Sequence, residues 1–98
     1  MLFRSVLFWL KSDITESQSE SFHSGLKSLE KVETIKSIYI GTPAPISRPV
    51  VDTSYTFSLL IIFEDLAGHD VYQEHPIHKE FLDQNRIYFE KVVIYDAQ

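Results

Sequence analysis

The 98-residue sequence predicts an α+β fold, a four-stranded antiparallel sheet with helices on one face. Three observations lead there: four stretches of alternating apolar residues, two stretches with apolar residues at three- and four-residue steps, and the order in which they occur. That order is strand, helix, strand, strand, helix, strand.

Leu2 to Leu10, LFRSVLFWL, is rich in aromatic and branched residues. Alternation puts Leu2, Arg4, Val6 and Phe8 on one face and Phe3, Ser5, Leu7 and Trp9 on the other, which is a first strand. From Thr15 to Val32 the period changes. Thr15 and Gln18 form a capping-box pair, and Phe22, Leu26, Leu29 and Val32 recur as one stripe, predicting a helix. Thr34 to Gly41 alternates again, with Ile35 and Tyr39 opposite Ile38 and Ile40, and Gly41 and Pro43 end this second strand. Residues 42–54 hold Pro43, Pro45 and Pro49 and follow no period. A loop of this length tends to serve as a lid, a binding loop or a partner contact.

Tyr55 to Phe63 is the third strand, with Tyr55, Phe57, Leu59, Ile61 and Phe63 on one face and Thr56, Ser58, Leu60 and Ile62 on the other. Asp65 caps a short helix reaching Tyr72. Pro76 stops it, because proline restricts the residue before it, and suits the first position of a further helix running to about Arg86. Phe89 to Tyr95 makes the fourth strand. With the second helix split at Pro76, the order is the βαββαβ pattern of ferredoxin-like folds in a single domain over residues 1–98.

Nine Lys and Arg stand against fourteen Asp and Glu, a net charge of -5, and no basic stripe occurs. Nucleic acid and anionic membrane are therefore poor partners. The absence of cysteine excludes disulfide scaffolds, thiolate metal sites and cysteine nucleophiles. No run approaches the roughly 18 to 20 apolar residues of a spanning helix, and the apolar N-terminal run lacks the basic flank and cleavage site of a leader. The expected location is the cytoplasm.

A monomer of this size buries only about 60 to 65% of the surface its unfolded chain exposes. Both faces of the sheet are apolar, since Phe3, Leu7 and Trp9 oppose Val6 and Phe8, and Leu60 and Ile62 oppose Leu59 and Ile61. Two helices cover one face. A second copy, joined through the sheet faces about a two-fold axis, is the expected cover for the other. The competing expectation is a monomer in which the proline loop and the C-terminus cover it.

The histidines lie at 23, 69, 75 and 78. His23, beside Phe22, reads as structural, and His69, between Gly68 and Asp70, as solvated. The segment Tyr72 to His78 differs, because two imidazoles and a phenol converge on a helix start. At about 100° per residue, His78 falls in the buried arc bounded by Ile77 and Leu82, facing the sheet near Phe57 and Leu59. An imidazole titrating near neutrality beside a phenol that can orient a carbonyl or enolate has the parts for acid–base work. The same residues also describe a buried histidine satisfied by Tyr72 or by backbone carbonyls. His75 stands where a helix cap is needed. The spacing across Pro76 does not put the rings of His75 and His78 on one helical face, so no metal is expected; there is no Gly-rich, Walker or cysteine-containing motif, and no cofactor is expected.

In its opening RSVLFWLK, in Tyr55-Thr56 and Phe63-Glu64-Asp65, and above all in Tyr72-x-x-His75-Pro76-x-His78-x-x-Phe81, the chain resembles the stress-responsive dimeric α/β-barrel (Dabb) family over nearly its full length. The resemblance implies a ferredoxin-like homodimer whose sheets face each other as a barrel. A plant branch of the family acts as polyketide cyclases, which implies an acid–base role for His78 with Tyr72 assisting. Where members often carry histidines in the first and third strands, this chain has Arg4 and Phe57. Arg4 would bring a fixed positive charge with up to five donors, suited to a carboxylate or enolate, and Phe57 a more apolar wall. The candidate site is thus His78 and Tyr72 for proton transfer, with Arg4, Val6, Phe57, Leu59, His75 and Phe81 contacting a small-molecule ligand. The expected activity is of the cyclase, isomerase or lyase kind; the alternative is a non-catalytic stress-responsive ligand-binding or structural dimer.

Overall fold

In a computed structural model describing residues 1–98, strand β1 spans Leu2–Leu10 and helix α1 spans Glu16–Ser28. Strands β2 (Ile35–Gly41) and β3 (Phe57–Phe63), helices α2 (Leu66–Glu74) and α3 (Pro76–Asn85) and strand β4 (Phe89–Ala97) follow. The sheet order is β2-β3-β1-β4 and every pairing is antiparallel. β1 and β3, which have the cleanest alternation in the sequence, take the two central places.

Local chemistry sets the boundaries. Thr15 accepts from the Gln18 backbone N–H at 3.1 Å while the Gln18 side chain accepts from the Thr15 N–H at 3.0 Å, the reciprocal cap that starts α1. The stripe predicted to carry one helix to Val32 is kept, but its last turn, Leu29–Lys31, tightens into a 3-10 turn. Asp65 accepts from the Gly68 N–H at 2.9 Å and starts α2. The helix break at His75 and Pro76 lies where the sequence put it.

Alternation fails at two places. Ile35 packs with Ile38 and Ile40 against the core and not opposite them, because the β2–β3 register shifts between Ile35 and Ser37. The extra residue, Lys36, is a bulge, which moves every residue before it to the other face. Tyr55 lies before β3, not on its core face, and packs its ring edge-on against Trp9 at 6.4 Å.

The core fills the space between the helices and the inner sheet face. Phe22, Leu26, Leu29 and Val32 from the first helical stripe meet Ile61 and Phe63, all under 2% exposed. The rings of Phe8 and Phe22 pack edge-on against each other and against those of Phe81 and Phe89, a cluster at the Phe8 end of β1. Each buried aliphatic or phenyl side chain contributes about 1.5–3 kcal/mol of transfer free energy, so this cluster anchors helices to sheet.

Two regions stay uncovered. On the outer face, Phe3, Tyr39 and Tyr95 are 40%, 60% and 65% exposed; the proline loop meets that face at Trp9, whose indole N–H donates to Ser54 Oγ at 3.0 Å. On the inner face, the helices stop short of the edge strand β4, leaving Val92 and Ile94 exposed. No helix is long and apolar enough to cross a membrane.

Candidate functional site

The gap between β4 and the α2–α3 junction is a cavity of about 180 Å³. Val6, Leu59, Phe81 and Leu82 supply part of a mainly apolar wall, and Val92 and Ile94 form its lip. Arg4, Tyr72, Gln73 and His78 are its polar members.

His78 is oriented by the helix break. In an uninterrupted helix the Gln73 carbonyl would accept the N–H of residue 77. Here Pro76 turns the chain and the Ile77 N–H donates instead to His75 Nδ1 at 3.1 Å. The orphaned Gln73 carbonyl takes the His78 ring, Nδ1 to O 3.3 Å. A carbonyl only accepts, so Nδ1 carries the proton and Nε2 the lone pair of the neutral ring.

The Tyr72 ring, from the last turn of α2, lies 4.4 Å from the His78 ring, centroid to centroid, at 36°. Neither Tyr72 Oη nor His78 Nε2 has a protein hydrogen-bond partner, yet the chain holds no buried polar side-chain atom without one. Both atoms therefore remain accessible, on residues that line the cavity. Burial pushes the Tyr72 phenol well above its ordinary value of 10, only partly offset by the Arg4 charge, so it stays a donor. Burial pushes His78 down from 6.5; the Gln73 carbonyl opposes this, and the charge of Arg4 adds to it. The pair is thus a neutral base beside a protonated phenol.

Arg4 does not present the free charge expected from the sequence. Its Nε donates to Asp96 Oδ1 at 2.8 Å and its Nη2 to Asp96 Oδ2 at 2.9 Å, while Nη2 also meets His69 Nε2 at 2.6 Å and Nη1 donates to Gln73 Oε1. Four of its five N–H groups are engaged, and Asp96 balances the charge. The Arg4 hydrogen bonds hold the Asp96 carboxyl below its ordinary value. Because guanidinium only donates, His69 Nε2 must accept, which puts the ring proton on Nδ1, facing Asp70 Oδ1 at 3.0 Å.

A family model described as the stress responsive A/B barrel domain matches residues 2–98. The chain belongs to that family. It is 28% identical over 92 residues to olivetolic acid cyclase of Cannabis sativa, covering 93% of this chain and 89% of the cyclase. Among solved structures, the hydroxynitrile lyase of Passiflora edulis superposes with a TM-score of 0.81 at 19% identity, over 98% of this chain and 90% of the lyase. A dimeric ferredoxin-like protein of unknown function from Thermobifida fusca gives 0.80 at 20% identity, over 98% and 88% of the two chains. At such identities the structural likenesses establish the fold.

In this stress-responsive A/B barrel domain the cavity brings together Arg4, Val6, Leu59, Tyr72, His78 and Phe81, but not the two other residues singled out in the sequence. Phe57 lies further along the sheet, opposite Phe8, its ring stacked with those of Phe22 at 5.7 Å and His23 at 5.6 Å. It packs against α1 and does not line the cavity. His75 is spent as the cap of α3, and its Nε2 pairs with Glu33 at 3.2 Å. No three His, Asp or Glu side chains are gathered in a metal-holding arrangement.

Sequence reasoning missed His69, Gln73 and Asp96. His69 is not solvated; its side chain is 15% exposed and engaged at both nitrogens. The usable signal was the helical spacing of 69, 72 and 73, which share a face of α2. Asp96 sits one residue past the predicted end of the last strand, opposite Arg4 in the β1–β4 register. A wider groove of about 410 Å³ between α1 and α3, lined by Ser21, Ser24, Gly25 and Asn85 among others, contains no histidine and no apolar enclosure. The smaller, drier cavity is the candidate site.

Proposed function

We propose that this domain acts on a small carbonyl compound by acid–base chemistry of the cyclase, isomerase or lyase kind, as a homodimer joined through its outer sheet faces. His78 Nε2 takes the proton from a carbon next to the carbonyl. The C–H bond breaks, an N–H bond forms, and the electron pair passes through the new C=C bond to the oxygen, where the Tyr72 hydroxyl donates a hydrogen bond. Return of that proton from His78 Nε2 to another carbon completes an isomerisation; attack by the enolate carbon on a second carbonyl, whose C=O pair becomes an alkoxide that takes the proton from His78 Nε2, completes a ring closure.

One observation carries this reading: an imidazole with its proton fixed on Nδ1 lies against a phenol, and the working atom of each is unpartnered. Relatives named as a cyclase and a lyase support it. The two-fold pairing is supported by the exposed apolar outer face and by the dimeric Thermobifida fusca relative. The competing reading, a non-catalytic ligand-binding domain, is favoured by the commitment of Arg4 to Asp96, which leaves the cavity a single reactive edge.

Deuterium uptake at the methyl group of acetophenone in D2O, followed by proton NMR, tests the chemistry. We expect acceleration over buffer by about 10²–10⁴-fold, abolished in His78→Gln and reduced in Tyr72→Phe. Binding of acetophenone without exchange in the wild-type protein decides for the ligand-binding reading.

A further inference from the structure

We infer that Asp96 is a specificity-determining residue: by holding Arg4 it makes the cavity select uncharged carbonyl ligands over carboxylates of the same size. The inference rests on the cavity being the ligand site.

An arginine on an otherwise apolar wall would ordinarily define an anion site. Here the arginine arrives already paired. Asp96 takes two N–H groups in parallel, and Gln73 and His69 take two more. A carboxylate entering the cavity would therefore gain at most one Arg4 N–H, would meet the Asp96 charge behind it, and would shed its water into a mainly apolar space. To win the guanidinium it would have to displace an intramolecular carboxylate that costs nothing to bring there.

A neutral carbonyl meets the opposite situation. The Tyr72 hydroxyl and the Gln73 amide NH2 are unpartnered donors, and a ketone oxygen accepts from them with little desolvation penalty. The volume suits this class as well: an apolar cavity of about 150 Å³ takes up a benzene ring, so about 180 Å³ holds one ring with a short substituent. Asp96 is placed to do this by the strand register, which sets it opposite Arg4 on the inner face, so its role does not depend on a mobile loop.

Acetophenone and benzoate, alike in size and different in charge, are the probes. Their affinities are measured at pH 7 by titration of amide NMR shifts, on wild type, Asp96→Asn and the double variant Arg4→Met/Asp96→Leu. Wild type should bind acetophenone at least about tenfold tighter than benzoate. Asp96→Asn, which frees the Arg4 charge while keeping a hydrogen-bonding side chain, should gain about tenfold for benzoate and change less than threefold for acetophenone. The double variant, with neither charge, should keep the neutral preference. Benzoate binding as tightly as acetophenone in wild type overturns the inference without any variant, as does an Asp96→Asn protein, folded by its amide spectrum, whose benzoate affinity is unchanged. Both results are read from binding, so a failure of His78 to exchange protons would leave them intact and would count against the proposed chemistry alone.

Discussion

Arg4 and Asp96 face each other across neighbouring strands and close two parallel N–H to oxygen bonds, 2.8 and 2.9 Å long. The guanidinium is the more deeply buried partner, with its side chain 10% exposed against 40% for the carboxylate. Removing the acid therefore strands a charge that has little water to turn to.

Asp96→Ala is expected to lower the unfolding free energy by about 1–3 kcal/mol, less than for a fully buried pair because Asp96 keeps solvent contact. Urea denaturation checks it. Arg4→Met/Asp96→Leu should recover at least half of the loss, since no unpaired charge remains. A double variant as unstable as the single one would mean that Asp96 acts through the end of β4 and not through Arg4.

The pH dependence of the proposed proton abstraction follows from the burial of His78. Its neutral form is favoured in the fold, so the rate should be flat through neutrality and fall only as pH drops below the ordinary imidazole value of 6.5. The stability contribution has the same sign: present above 6.5, it is lost as pH falls from there through the depressed folded value. On the alkaline side Tyr72 stays protonated past 10. An acid limb centred above 6.5 would contradict the burial argument.

Gly25 on α1 sits where that helix meets α3. A Cβ there would lie 2.9 Å from Asn85 Nδ2, which is itself held to the Phe81 carbonyl at 3.0 Å, and 3.2 and 3.3 Å from carbons of the Phe81 ring. Alanine improves helix propensity by about 0.8–1.0 kcal/mol, but overpacking a tight contact costs about 1–3 kcal/mol. Gly25→Ala should thus lose about 1 kcal/mol, read as a drop in Tm of about 4–8 °C.

Leu60 lies on the outer face, paired with Ser5 of β1 and Tyr39 of β2. Leu60→Lys should leave the fold intact and move the mass measured by light scattering from twice 11.4 kDa to 11.4 kDa. A wild-type protein that is already monomeric, or a variant that stays dimeric, removes the sheet-face interface.

His75→Ala tests the separation of cap from cavity. Loss of the bond from the Ile77 N–H should cost about 0.5–1 kcal/mol of stability, while acetophenone exchange by folded protein changes less than twofold.

The parts of the fold that depend on local chemistry could be read directly from the residues. The Thr15–Gln18 box, the Asp65 cap, the Pro76 break and the alternation of β1 and β3 each rest on neighbours within a few positions. Ile35 was assigned to the wrong face because a bulge leaves no mark on composition; a single added residue reverses the period. The site divides in the same way. The inward turn of His78 follows from helical spacing, whereas the Arg4 cluster joins residues 4, 69, 73 and 96 from three elements, and only the assembled register brings them together. Alternation gives Phe57 its correct face but not its helix, since it specifies direction and says nothing of which helix lies above; Phe57 packs under α1.

The bond from His78 to the Gln73 carbonyl means that the ring's acceptor is supplied by main chain and not by a side chain. A backbone carbonyl is present whatever residue occupies position 73, so replacements there, or along β1, β3 and β4, can reshape the cavity without moving the ring proton. The ring's tautomer and the cavity's shape are thus set by different parts of this chain. Only a change at Pro76 that let the helix run on would reclaim the carbonyl for Ile77 and release the His78 ring.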